Sequence, residues 1–161
     1  MPWLLLFGCA GLDPADCVPA TVDDVLDRTG DYYRCLDTQL AGGEGCGAAG
    51  YPLGYGAKYA DRYLTETYPA VSPEGQEFLR AVAPCLQVEL AAWVTADASC
   101  DAVWDHGFAT HAGCYADHGF CGLDIADAVA IAAAVDEADR ALPEADAQTT
   151  ELLERCAALA E

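Results

Sequence analysis

Nine cysteines in 161 residues are the strongest constraint on what this chain can fold into. Three of them fall in one stretch, Cys100 to Cys121, together with all three histidines and the aromatics Trp104, Phe108, Tyr115 and Phe120. Cys114 and Cys121 are seven residues apart. On an α-helix that is two turns, which puts both thiols on one side with their Cα atoms about 10 Å apart, too far to bond to each other. Each needs a partner elsewhere, so the stretch reads as a cross-linking hub. No two cysteines stand in the C-x-x-C spacing of zinc ribbons and thioredoxin-like sites. Scattered cysteines at wide intervals suit disulfides formed in an oxidising compartment.

Charge narrows the partners. The formal net charge is −20, from 27 acids against 7 bases, with Lys58 the one lysine. Nucleic acid needs cations opposite its phosphates and is excluded as a partner on this balance. Direct docking on anionic lipid is disfavoured for the same reason. The charge reads as a solvated, self-repelling surface. No D-x-D-x-D-G calcium loop occurs, and the absence of asparagine rules out N-glycosylation.

Taken in order, residues 1–8 are apolar and end at Cys9. The run Leu6-Phe7-Gly8-Cys9 resembles the lipobox of bacterial lipoproteins, which implies a signal segment over 1–8 and lipidation of Cys9. Membrane association is expected only through that anchor, because the longest apolar run, Ala128 to Val135, has eight residues. Residues 9–20 read as a proline-containing tether. Thr21 is the expected cap of a helix running to about residue 40, weakened at Gly30. The glycine-rich Ala41 to Gly50 is a loop without the G-K-[ST] ending of a phosphate site. A second helix is expected from Tyr55 to Tyr68, stopped by Pro69, and a third opens at Ser72-Pro73-Glu74. Pro84 is expected to kink or divide that third helix. Ser99 and Asp124 cap two more, the latter with Ile125, Val129, Ala132 and Val135 facing inward and Pro143 ending it. A last helix, about 146–160, places Leu152, Cys156 and Leu159 on one face. Strand-like alternation is absent. The pattern predicts an all-α fold, a disulfide-stabilised bundle of five or six helices forming one domain over 21–161.

From Cys85 onward the cysteine order is C-x13-C-Y-x5-C-x34-C, taking Cys100, Cys114-Tyr115, Cys121 and Cys156, with Phe78 to Cys85 reading F-L-R-A-V-A-P-C before it. This resembles the stanniocalcin family, as does the G-C-G-A at Gly45 to Ala48; the likeness covers about residues 32–156. Known stanniocalcins are secreted, helical, disulfide-rich regulators rather than enzymes. One of them inhibits a metalloproteinase by binding it. The resemblance implies a non-enzymatic extracytoplasmic binding or regulatory protein, without cofactor, acting on a protein partner it does not identify. It also implies the pairs Cys85–Cys114 and Cys121–Cys156. The family's dimer-forming cysteine has no counterpart after Cys156, so a homodimer is not expected to be disulfide-linked. Setting Cys9 aside leaves Cys17, Cys35, Cys46 and Cys100 with three connectivities open. The flexible glycine-rich loop and a similar local bridge in the family favour Cys35–Cys46, which leaves Cys17–Cys100.

The same stretch also offers other chemistry. His111, Cys114, His118 and Cys121 form H-x2-C-x3-H-x2-C, whose neighbouring pairs could chelate a metal. The four span about 15 Å of helix and cannot surround one zinc unless the helix breaks. Cys114 and His118, four apart, could form a thiolate–imidazolium pair. Asp105-His106 is similar, in reversed order, to a step in secreted phospholipases, without their calcium loop. These define the alternative reading, a small secreted metal-dependent or cysteine-based hydrolase, which oxidised cysteines would exclude. The histidines are expected on helix surfaces or in packing, and Trp93, Trp104, Phe108 and Tyr115 in the core.

Overall fold

The computed structural model describes residues 13–160, so the lipobox-like Leu6 to Cys9 lies outside the described residues. The regular structure described is helical throughout, with no helix long and apolar enough to cross a membrane. A 3-10 turn, Pro14–Asp16, precedes α1 (Val25–Arg28) and α2 (Asp31–Gln39). Residues 52–70 form one continuous helical path, α3. In it π turns at Pro52–Ala57 and Tyr63–Thr67 flank an α segment, Lys58–Arg62, and a 3-10 turn at Tyr68–Ala70 closes the run. Then come α4 (Pro73–Trp93), α5 (Cys100–Ala109), α6 (His111–Asp117), α7 (Ile125–Ala133), α8 (Glu137–Arg140) and α9 (Pro143–Leu159).

Three starts follow the sequence closely, because each has a side-chain oxygen for an orphan amide. The Ser72 hydroxyl accepts from Gly75 N at 3.2 Å, Ser99 from Ala102 N at 3.1 Å, and Asp124 from Ala126 N at 2.8 Å. Thr21 does not act this way: its own N–H and hydroxyl donate to Asp24. The expected 21–40 helix is broken at Thr29, whose φ of 33° no helix contains. Gly30 is the cause. A Cβ there would lie 2.9 Å from Ala57 Cα, so α3 can come this close only to a glycine. The break is held by Asp61, which accepts from the Thr29 hydroxyl at 2.6 Å and Gly30 N at 3.1 Å.

Other expectations need correction. The second helix begins before Tyr55 and passes Pro69 in its closing 3-10 turn. α4 runs undivided through Pro84, which is buried, with Phe78, Leu79 and Val82 packed before it and Leu90 after it. Packing on both sides of the proline offsets its missing hydrogen bond. On α7 the side chains facing inward are Asp127 and Ile131, whereas Ile125 and Val129 are 82% and 60% exposed. Asp127 sets that rotation, since it accepts from both the backbone N–H and the hydroxyl of Ser72 at the start of α4. Pro143 opens α9 rather than ending α7, and Leu159 on α9 is exposed while Leu152 is buried.

Four disulfides tie these helices together: Cys17–Cys35, Cys46–Cys100, Cys85–Cys114 and Cys121–Cys156. Three of the four therefore converge on the stretch from Cys100 to Cys121. Cys35–Cys46 and Cys17–Cys100 are not formed. Cys17 lies along α2, where Asp13 N donates to Gln39 at 3.1 Å, and its Cα is 5.6 Å from that of Cys35. The glycine loop carries Cys46 onward to the start of α5 instead of folding back. Asp37 fixes that path by accepting from Cys46 N at 2.9 Å and Gly47 N at 3.2 Å. The bridges span 18, 54, 29 and 35 residues. In the chain-entropy view each contributes about 3–4 kcal/mol, large against the roughly 5–15 kcal/mol that holds a domain folded.

One buried polar side chain completes the frame. Gln87 on α4 is fully buried; it accepts from Ala20 N at 2.7 Å and donates to Thr29 O at 3.2 Å. It stitches the N-terminal strap and the α1–α2 break to α4. Gln87→Leu keeps the volume and orphans both backbone groups, so it should cost about 2–4 kcal/mol. Urea unfolding measures this, and a loss under 1 kcal/mol would mean the strap is held by its disulfide alone.

Candidate binding site

Four tyrosines recur every fourth residue, Tyr51 at the cap of α3 and Tyr55, Tyr59 and Tyr63 along it. On a pure α-helix a four-residue step drifts by about 40°, and the rings would spiral off one face. The π turn at Pro52–Ala57 takes up more residues per turn and offsets the drift in the first part of the ladder. The rings stay in file, with successive centroids 5.8, 4.6 and 6.3 Å apart. A strict four-residue step fits neither helix nor strand periodicity, so apolar patterning does not reveal this ladder. The bare Y-x3-Y-x3-Y-x3-Y repeat was the available signal.

Opposite the ladder stand α5 and α6. Phe108 lies 4.5 Å from Tyr55 by ring centroids, and His111 lies 6.3 Å from Tyr51 and 5.9 Å from Tyr55. Glycines permit close packing of α5 and of α2 against α3. A methyl on Gly107 would sit 2.5 Å from the Tyr51 ring, and one on Gly56 would sit 2.6 Å from the Tyr33 ring. Between α3, α4, α6 and α9 the packing leaves a cavity of about 440 Å³. That is within the range of small-molecule sites, about 300–1,000 Å³. Its wall is largely aromatic and aliphatic, including Tyr55, Tyr59, Tyr63, Tyr115, Phe120 and Leu152. Exposed Ala132, Arg140, Asp146, Thr149 and Leu153 also border it and mark its mouth, between α7–α8 and α9.

Polar groups in this wall are few and specific. His111 is buried, and its Nδ1 lies 2.8 Å from Gly107 O. A carbonyl can only accept, so Nδ1 carries the proton and Nε2 is left as an acceptor. Burial lowers the His111 pKa to about 4 despite hydrogen bonds to backbone carbonyls, so the ring is neutral at pH 7. Burial pushes Tyr115 up to about 12, with Tyr63 pulling it back, and raises Tyr55 further. Gln148 on α9 lowers Tyr55 slightly, as an amide N–H facing a phenol oxygen would. The Oε1 of Gln148 is buried with no hydrogen-bond partner.

One edge of the cavity is latched. The Tyr59 hydroxyl donates to Asp139 and accepts from Asp136 N at 3.1 Å. Lys58 bridges Asp136 at 2.6 Å and Asp139 at 2.7 Å, and Arg62 reaches Asp136 at 2.7 Å. Burial lowers Lys58, but those carboxylates outweigh it and raise its pKa overall. Hydrogen bonds from Arg62 and then Lys58 lower Asp136 to about 2.

The residues proposed for chemistry fall elsewhere or are already used. Cys114 and Cys121 are both half-cystines, so neither is a thiolate beside His118. The helix does break between them, at Gly119 with φ of 97°, and leaves His118 exposed. Among the described residues no three His, Cys, Asp or Glu side chains gather as a metal site would require. His106 stacks on Trp93 at 4.2 Å near the surface, and Trp93 is 39% exposed rather than core. No family model, curated protein or solved structure matches the chain.

Two predictions follow from this geometry. Alanine is the better helix former by about 0.5–1 kcal/mol, so Gly113→Ala on α6, where a methyl meets nothing within 4 Å, should stabilise. Gly107→Ala should instead destabilise by about 1–3 kcal/mol, because its methyl strikes Tyr51; paired thermal melts decide between gain and loss. The second concerns pH. His111 has a folded pKa of about 4 against an ordinary 6.5, so above pH 6.5 both states are neutral and stability is full. As pH falls from 6.5 to 4 the unfolded chain takes the proton first, and about 3 kcal/mol is lost by pH 4. Urea titrations across that window should show the slope in the natural chain and not in His111→Phe. Equal slopes would place the buried proton site elsewhere.

Proposed function

We propose that the chain is a non-enzymatic extracytoplasmic binding or regulatory protein resembling the stanniocalcins. Its disulfide-framed, tyrosine-walled cavity is the place where it takes a ligand. The cavity is the observation that carries the binding reading. It is aromatic and apolar, has few polar groups, and is bordered by a neutral histidine rather than an activated nucleophile. The four bridges support an oxidising compartment. The stanniocalcin likeness rests on the cysteine intervals and on Cys85–Cys114 and Cys121–Cys156, the two pairs that likeness implies. The cysteine-based hydrolase reading loses its nucleophile, since Cys114 is bonded to Cys85. Attachment through a lipidated Cys9 belongs to the same proposal.

The test takes protein from its native host under alkylating conditions. Residues 13–160 should yield no alkylatable thiol, and the folded chain should bind the neutral fluorophore N-phenyl-1-naphthylamine saturably at one per chain. Free Cys114 or Cys121, or turnover of ester or peptide substrates above the buffer rate, would overturn the assignment.

A further inference from the structure

Two hydrogen-bond acceptors with no donor among the described residues belong to side chains in the wall of the tyrosine-lined cavity. One is Oε1 of Gln148 on α9, buried and without a partner. The other is Nε2 of His111 on α6, left as an acceptor because Nδ1 is committed to Gly107 O at 2.8 Å. Both residues line the same cavity. A buried acceptor without a donor is destabilising, so a bound molecule that supplies the donor is favoured over one that cannot.

We propose that this cavity selects a flat, mainly apolar small molecule carrying an N–H or O–H donor, held between the tyrosine ladder and the acceptors of Gln148 and His111. The inference rests on the binding reading above and adds the ligand's chemical class. Aromatic walls suit a planar body. Offset and edge-to-face contacts with Tyr55, Tyr59 and Tyr115 add attraction beyond burial alone. The chain's net charge of −20 opposes an anionic ligand. The Tyr59 hydroxyl is committed to Asp139 and is not available as the donor. A site built to satisfy a particular donor rejects the isostere lacking it far more sharply than an apolar pocket rejects a change of size.

Indole and benzofuran test this directly, because they share one shape and differ in a ring N–H against a ring oxygen. Isothermal titration of the full disulfide-bonded chain should find indole at least ten-fold tighter than benzofuran, with indole-3-carboxylate weaker still. Gln148→Leu should cut the indole preference to three-fold or less while leaving benzofuran unchanged, and His111→Phe should act the same way. Circular dichroism and melting temperature confirm that each variant folds. Equal affinity of indole and benzofuran for the natural chain would overturn the ligand class and leave the binding reading standing. No binding of either probe, or of N-phenyl-1-naphthylamine, would overturn both. A preference for indole that persists in both variants would also overturn the proposal, since the donor would then be met elsewhere.

Discussion

The covalent junction at residues 100–121 is the constraint on which the rest of the molecule depends. Most of its helices are too short to persist alone: α1 and α8 have four residues each, α6 has seven, and α2 and α7 have nine. Isolated helices below about 12–15 residues are marginal in water, so these need tertiary partners. The bridges supply fixed ones. Cys46–Cys100 sets the start of α5, Cys85–Cys114 locks α6 to the middle of α4, and Cys121–Cys156 ties the turn after α6 to α9. The surface is strongly acidic and self-repelling, and the bridges hold it closed by covalent means where ion pairs are too few to do so.

Within that frame the cavity is a consequence of shape. Tyrosines placed every four residues form a rigid file of large rings, and Gly107 on α5 and Gly56 on α3 itself let α5 and α2 approach without filling all the space. α4 brings smaller side chains, Leu79, Val82 and Ala83, to the far wall. Large flat groups on one side and small ones on the other leave a gap at the junction of the apolar clusters. The same burial that makes the wall apolar keeps His111 neutral and raises the tyrosines, so the cavity presents hydrogen bonding without charge near neutral pH.

Much of the fold was legible because caps and prolines act locally. Ser72-Pro73-Glu74, Ser99 and Asp124 start helices where their side chains say they should. What was not legible depended on distant partners. The break at Thr29–Gly30 exists because α3 lies against Gly30, and the rotation of α7 exists because Asp127 reaches Ser72. Apolar periodicity pointed to Ile125 and Val129 for that helix, yet a buried carboxylate with two strong donors outweighed them. Cys17 and Cys46 are partnered according to where the strap and glycine loop travel, which Gln39 and Asp37 decide. The candidate site was least visible, since a period of four is neither helix nor strand spacing until π turns make it one. From the sequence His111 reads as a surface or packing residue, because the ladder it faces comes from a distant segment.

The central claim is that the cross-links at residues 100–121 hold the tyrosine ladder in place. Hydrogen exchange on the native chain, before and after full reduction and alkylation of the bridges, tests it most directly. The account predicts that amides of residues 55–63, 103–109 and 114–117 lose protection together on reduction, as one cooperative unit. If those amides keep their native protection while the bridges are open, packing alone holds the ladder and the claim is contradicted.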